Sequence, residues 1–336
     1  ACSMPAMRKT ARLKPGSPMH QGSMPCQPLK RQRGVAIITA LLIVTIATTI
    51  SITISTRLQL DVRRTGNLLA QDQADFYLLA AERWSGRILK QDLEDSSYDG
   101  LDEDWAIELP PIPVDGGSIQ GKLTDLHACI NINNLRDNGA IDPVTEQRLH
   151  NLFQLYSIST SATQAMTDWM DADLNDTNPG GAEDGYYLNL ESPYRVANTT
   201  FSSVSELRLV RGFEDSEKFR QLSPHLCAYE AGDNSINVNT ADAVVLKSLA
   251  SGMTDEMVDA IIQQRKDEPF EDINQFYAFQ NLGSIITEKK GLSVKSSYFA
   301  LRTQARIGQA NKVMYSIIHR DEQGVVRVLH RTQRTL

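Results

Sequence analysis

Six acids crowd one short stretch: Asp168, Asp171, Asp173, Asp176, Glu183 and Asp184, with no Lys or Arg between them. Repulsion within such a cluster destabilises a fold unless a cation offsets it. The candidate ligands are all oxygens, with no His or Cys nearby. That donor set selects a hard cation and, outside the cytoplasm, calcium over zinc. Asp171, Asp173 and Asn175 alternate like the opening ligands of an EF-hand loop. Asp176, however, stands where that loop needs Gly, and the closing acid, Glu183, comes one residue late. The segment is therefore not an EF-hand. The competing reading is a solvated acidic loop with Asp168 at the end of a helix. Asp171 and Asp173 also suit a paired-carboxylate hydrolase, but no aromatic sugar-binding run accompanies them. A Gly-x-Ser-x-Gly elbow, a phosphate-binding loop and a His-Glu-x-x-His helix are all missing from the sequence, so no enzyme is expected.

The elements that must carry this cluster begin with a charge boundary. The chain has 336 residues and a formal charge of −7. Residues 1–34 hold +7 and no acid, which leaves −14 for residues 35–336. An acidic bulk argues against nucleic acid as partner. Residues 1–34 are rich in Pro, Gly, Ser and Met and read as a disordered basic leader. Residues 35–54 then contain no charge, Pro or Gly. At about 1.5 Å per residue they suffice to cross a bilayer. Basic charge ahead of the span keeps the leader cytoplasmic and sends the bulk across. An ordinary signal peptide has a shorter apolar run and a small-residue site after it. A plain signal anchor remains an alternative. The favoured reading is a cut between Gly34 and Val35, because basic residues, Gly and an uncharged helix form the arrangement that prepilin peptidase cleaves.

Beyond Arg57 the pattern becomes amphipathic through Leu58, Leu60, Val62, Leu68, Leu69, Phe76, Leu78, Leu79, Trp84, Ile88 and Leu89. One long helix ending near Leu93 is expected, with Gly66 as its weak point and a sheet over its apolar face. Strands are expected at residues 118–126, 298–308, 311–319 and 324–330. Between them the chain reads as helical at 142–156, 160–170, 203–210, 240–250 and 255–266. A weak repeat runs through this part. Ile130-Asn-Ile-Asn133 recurs as Ile236-Asn-Val-Asn239, and the segment starting at Phe201 is echoed from Phe270. The second copy resembles a helix-hairpin-helix unit of DNA-binding proteins, which hold phosphate at a Gly-rich turn. Its turn, Ser251-Gly-Met-Thr-Asp-Glu256, is acidic and poor for phosphate.

The long N-terminal helix, the Gly before an apolar run and the C-terminal strands resemble the type IV pilin and pseudopilin fold. Asp168-Trp-Met-Asp-Ala-Asp173, Gly181-Ala-Glu-Asp-Gly-Tyr-Tyr187, Ser192-Pro-Tyr-Arg-Val-Ala-Asn198, Phe201–Phe213 and Ile236-Asn-Val-Asn-Thr-Ala241 resemble the minor pseudopilin K family of type II secretion systems. This resemblance runs from about Arg33 to the C-terminus. It implies an α+β fold, with a type IV pilin-like helix packed on an antiparallel sheet and a large inserted α-helical domain. The implied layout is a cleaved leader at 1–34, a transmembrane helix at 35–55, a pilin-like part at 56–127 and 292–336, and an insert at 128–291. It also implies one or two calcium ions, with Asp168, Asp171, Asp173, Glu183 and Asp184 as the residues matching the family's loop. Pilins carry a glutamate as the fifth residue after the cut, where it registers against a neighbour's N-terminus. Here that place is Thr39, and K subunits lack the glutamate. A subunit without that charge suits a position with nothing above it, the filament tip. The implied partners are the other minor pseudopilins, the I and J subunits, together with prepilin peptidase for processing and exported substrates or the outer-membrane secretin. The other class of function is a membrane-anchored periplasmic scaffold or DNA-uptake receptor built on helix-hairpin-helix units.

Cys2 and Cys26 lie in the leader, so the exported part keeps Cys129 and Cys227. In an oxidising compartment a disulfide between them is expected, with two buried thiols as the alternative.

Overall fold

The computed structural model describes residues 33–137, 139–232 and 235–333. Most of the leader, with Cys2 and Cys26, lies outside them. The chain divides between Val62 and Arg63 into two units. Helix α1, Arg33–Asp95, runs from the first into the second without a break at Gly66.

In the first unit the side chains of Val35, Ile37, Ile38, Leu41 and Leu42 are all more than half exposed. This helix is long and apolar enough to cross a membrane. Seven of its hydroxyl residues do not spoil that surface, because Thr39, Thr45, Thr48, Thr49, Ser51, Thr53 and Thr56 bond their own backbone a turn earlier. Thr48 donates to Val44 O at 2.7 Å and Ser51 to Ala47 O at 2.8 Å. Such bonds satisfy polar groups where no water is available.

The second unit holds a five-stranded antiparallel sheet in the order β1-β2-β3-β4-β5. The strands are β1 Ile112–Val114, β2 Gly117–Asp125, β3 Tyr298–Ile307, β4 Ala310–Arg320 and β5 Val326–Thr332. Asp115-Gly116 makes the first hairpin, with Gly116 at φ +83°, the left-handed backbone that a two-residue turn requires. Asp125 pairs with Phe299, so residues 126–297 form one excursion between adjacent strands.

Alternate residues of β3 (Phe299, Leu301, Thr303, Ala305 and Ile307) are buried, as the period-2 geometry of a strand dictates. Leu89 packs with Leu123, Phe299, Leu301 and Ile318, and Ala74 and Leu78 pack with Ala305, Ile307 and Met314. The buried stripe of α1 is thus Ala74, Leu78, Glu82, Ser85 and Leu89. This corrects the expected apolar face, since Leu68, Leu69, Phe76 and Trp84 are exposed. A buried Glu82 is tolerated because the sheet satisfies it. Ser316 donates to it at 2.7 Å, and Arg331 makes a two-pronged contact at 2.8 Å on each oxygen. Burial alone would raise its pKa, but these bonds outweigh burial and hold it below the ordinary value.

The excursion has its own core, from Ile130 to Val294. Its helices are α2 Pro143–Leu155, α3 Ala162–Met170, α4 Asp184–Tyr187, α5 Ser216–Leu222, α6 Ala243–Ser248, α7 Asp255–Asp267 and α8 Ile273–Ala278. Asp142, Asp215, Asp242, Thr254 and Asp272 cap five of them by accepting free backbone N–H groups. Residues 204–209 form a 3-10 turn instead of the expected α-helix.

The Asn repeat is structural. Asn133 donates to Phe201 O at 2.9 Å and accepts from Phe201 N at 2.8 Å. Asn239 makes the same two-way bond with Phe270, at 2.8 and 3.0 Å. Each copy also opens with a short parallel pairing, Ile130-Asn131 with Leu226-Cys227 and Ile236-Asn237 with Leu292-Ser293.

Candidate metal centre

The acidic loop leaves the C-terminal end of α3 and returns at α4. Carboxylate oxygens of Asp171, Asp173 and Glu183 converge within 4.8 Å of one another. Glu183 is only 2% exposed, and neither of its oxygens has a hydrogen-bond partner; Asp171 Oδ1 also has none. The other Asp171 oxygen accepts from Arg136 Nη1 at 2.9 Å. Burial, reinforced by the charges of Asp168, Asp171, Asp173 and Asp176, pushes the Glu183 carboxyl up to about 7. Asp171 is also raised, again mainly by burial, with Arg136 opposing.

Buried polar atoms are normally satisfied. Three carboxylate oxygens here, both of Glu183 and one of Asp171, lack that satisfaction. The donors are all hard oxygens, which fits calcium, an ion that takes 6–8 oxygens from carboxylates, backbone carbonyls and water.

Of the five expected ligands, the structure brings three together. Asp168 lies in the last turn of α3 and is fully buried rather than solvated. It accepts from Thr177 N at 3.0 Å, which pins the outgoing loop. A Cβ on Gly181 would come within 2.2 Å of Asp168 Oδ2, so the return strand fits only as glycine. Asp184 is engaged elsewhere, accepting from Arg195 at 3.0 Å and Val196 N at 3.2 Å. Asp173 Oδ1 accepts from Asn175 N at 2.8 Å, which turns the chain back toward the cluster. Arg136 carried no signal in the sequence, since it arrives from a two-stranded turn thirty-five residues before Asp171.

Aromatic side chains anchor the loop's base. Trp169 meets Tyr187 edge-on at 5.4 Å, and Tyr187 stacks on Tyr194 at 5.3 Å. Arg211 donates to Gly181 O at 3.2 Å.

A second acid group, Asp92, Asp99 and Glu103, also converges. It already has its cation. Arg320, 2% exposed, reaches Asp92 at 2.8 Å and Asp99 at 2.5 Å, and donates to Leu89 O and Ser296 O.

The remaining expected residues are placed as follows. Cys129 and Cys227 are joined in a disulfide with a Cα–Cα distance of 5.8 Å. Gly34 and Val35 lie in the first turn of α1. Thr39 donates to Val35 O and Ala36 O at 3.1 Å, within its own helix.

Two family models match, both described as type II secretion system (T2SS), protein K, over residues 128–231 and 236–295. The type II secretion system protein K of Pectobacterium carotovorum subsp. carotovorum is 34% identical over 319 residues, covering 88% of this chain and 94% of that protein. The chain belongs to the type II secretion system protein K family. The protein K of Aeromonas hydrophila is 30% identical, covering 90% of this chain and 97% of its own. Among solved structures, one from the GspK-GspI-GspJ complex of the enterotoxigenic Escherichia coli type 2 secretion system superposes with a TM-score of 0.71. It is 28% identical, covering 80% of this chain and 98% of that one. The α+β fold of the protein K family, a long helix on an antiparallel sheet with a large helical insert, is thus the fold of this chain.

Proposed function

We propose that the chain is a non-enzymatic minor pseudopilin that caps the tip of the type II secretion pseudopilus and supports protein export across the outer membrane. Membership of the protein K family supports the assignment to type II secretion. Thr39 carries the tip assignment. Its hydroxyl is spent on its own helix and it has no charge to offer a neighbour's N-terminus. The neighbouring structure's complex with GspI and GspJ supports other minor pseudopilins, the I and J subunits, as partners.

In this reading prepilin peptidase cuts between Gly34 and Val35. The apolar half of α1 holds the protein in the inner membrane as a single pass, with the bulk in the periplasm. Asp171, Asp173 and Glu183 hold calcium, which supplies fixed positive charge at the neck of the acidic loop and does no chemistry on a substrate.

The test has two parts. Co-expression with prepilin peptidase should leave Val35 at the N-terminus, and an intact leader rejects the processing. Gold-labelled antibody against residues 128–291 should mark one end of isolated pseudopili, and labelling along their length rejects the tip position.

A further inference from the structure

The first copy of the repeat carries two insertions, and they touch. Asn133 stands nine residues before Asp142, the N-cap of α2. Its counterpart Asn239 stands only three before Asp242, the N-cap of α6. The additional residues of the first copy form two short antiparallel strands, Arg136-Asp137 against Ala140-Ile141. The acidic loop, which follows α3, is the other insertion. Arg136 joins the two, since its Nη1 donates to Asp171 Oδ2 at 2.9 Å.

Arg136 is held from its own side. Its Nη2 donates to Gly139 O at 2.9 Å, and Asp142 N donates to Leu135 O at 2.9 Å, closing the turn beneath it. The guanidinium is therefore fixed by its own turn as well as by the loop. Its bond to Oδ2 leaves Asp171 Oδ1 as the oxygen without a partner. Among the described residues, Arg136 is the only base ion-paired with Asp171, Asp173 or Glu183. Other nearby bases are spent elsewhere. Arg195 pairs with Asp184, and Arg211 lies over the Tyr186 ring and donates to Gly181 O. Three ionised carboxylates and one guanidinium leave a formal charge of −2, which a divalent ion cancels. The Arg136 side chain is 22% exposed and that of Asp171 9%, so solvent screens the pair only in part.

We propose that Arg136 is the specificity-determining residue of the loop's cation site, setting its charge to match a divalent ion and disfavouring a trivalent one. The inference rests on calcium being held by Asp171, Asp173 and Glu183. Charge count is one of the two properties that tune such oxygen sites. Repulsion from a fixed unit charge grows with the charge of the ion. Removing the guanidinium therefore helps a hard trivalent ion more than it helps calcium. For one further unit charge a few ångströms away in a partly wet site, the gain in relative affinity is about tenfold. Any lost orientation of Asp171 weakens both ions together and leaves their ratio unchanged.

The probes are calcium and lanthanum, each titrated calorimetrically at neutral pH into the full-length chain in neutral detergent micelles. Glu183→Gln serves as the blank for weaker sites. The parent should bind calcium with a heat that the blank lacks. Arg136→Gln keeps a hydrogen-bond donor but no charge, and should raise the lanthanum-to-calcium affinity ratio about tenfold. Arg136→Lys keeps the charge and should hold the ratio within about twofold of the parent. If the Gln variant fails to fold, Arg136→Met is read in its place. An unchanged ratio in the folded, uncharged variant overturns the inference and leaves the calcium site standing. A Lys variant shifted as far as the Gln variant also overturns it, because the role is then structural. A parent that binds no calcium overturns the site and the inference with it.

Discussion

Replacing Glu183 by Gln should make the calcium-free protein more stable and deprive it of its calcium response. Glu183 is buried, and burial with its acidic neighbours lifts its carboxyl from the ordinary 4.5 to about 7. The folded value lies above the unfolded one, so the neutral carboxyl's stabilisation is full below about pH 4.5 and is lost as pH rises through about 7. A shift of this size corresponds to about 3 kcal/mol at neutral pH. Calcium at about a hundred times its Kd returns roughly 2.7 kcal/mol, a similar amount. For a chain of this length, that is roughly 4 °C in melting temperature. The Glu183→Gln change keeps the shape, removes one charge and offers an amide donor to a group of carboxylates within 4.8 Å. Melting curves of the full-length chain would be recorded in chelator and in millimolar calcium from pH 4.5 to 8. The parent should lose stability across this range in chelator and recover it in calcium. The variant should be flatter, melt higher than the parent in chelator at pH 7.5, and respond little to calcium. A variant that melts lower in chelator, or that gains as much from calcium as the parent, would refute the reasoning.

Two further changes probe contacts outside the acidic loop. Arg320→Met strands Asp92 and Asp99 in a buried site and should cost about 3–5 kcal/mol in urea unfolding at pH 8. Asp92 already stands at about 7, raised chiefly by burial, so the deficit should shrink toward pH 5 as Asp92 takes up its proton; a loss under about 1 kcal/mol at pH 8 contradicts the clamp. Replacing both Cys129 and Cys227 by Ala opens a loop of 98 residues and should cost roughly 4–5 kcal/mol in the chain-entropy model, and alkylation of Cys129 and Cys227 themselves in the unreduced parent, mapped by peptide mass, would disprove the bridge.

Much of the layout was legible because it rests on local pattern. The uncharged run at 35–54, the alternation of β2 to β5 and the paired Asn motifs each encode one geometry. The face of α1 was not legible. Its large apolar residues lie on several sides, and the sheet chose the side with Ala74, Glu82 and Ser85. That choice depends on Ser316 and Arg331, which lie 234 and 249 residues from Glu82. Arg136 and Arg320 were invisible for the same reason. Each is an ordinary basic residue until folding brings it against acids from distant segments. Within the acidic loop, composition pointed to a cation, but only the backbone determines which acids face it. Asp168 and Asp184 match the family motif yet spend their oxygens on Thr177, Arg195 and Val196.

In the proposed reading, the repeat explains why a cation is wanted in one half of the insert and not in the other. The two-way Asn–Phe bond spans 68 residues in the first copy and 31 in the second. In the second, α7 ends at Asp267 and only Glu268 and Pro269 precede Phe270. In the first, α3 ends at Met170, and the whole acidic loop intervenes before Phe201. The loop is therefore a long insertion at a point where its sister copy makes a two-residue connection. Ordering each inserted residue costs about 1–2 kcal/mol of backbone entropy. Burial offsets that cost at the base, where Tyr187 packs against Trp169. It does not at the tip, where Leu174 is 65% exposed. Asp171 and Asp173 stand where the chain leaves the platform, and Glu183 stands where it returns. A cation held by all three ties exit to return and closes the exposed tip, which apolar packing leaves open. The Asn133–Phe201 bond and the aromatic base hold the platform without it, so in the proposed reading the ion orders the loop while the repeat beneath it stands on its own packing.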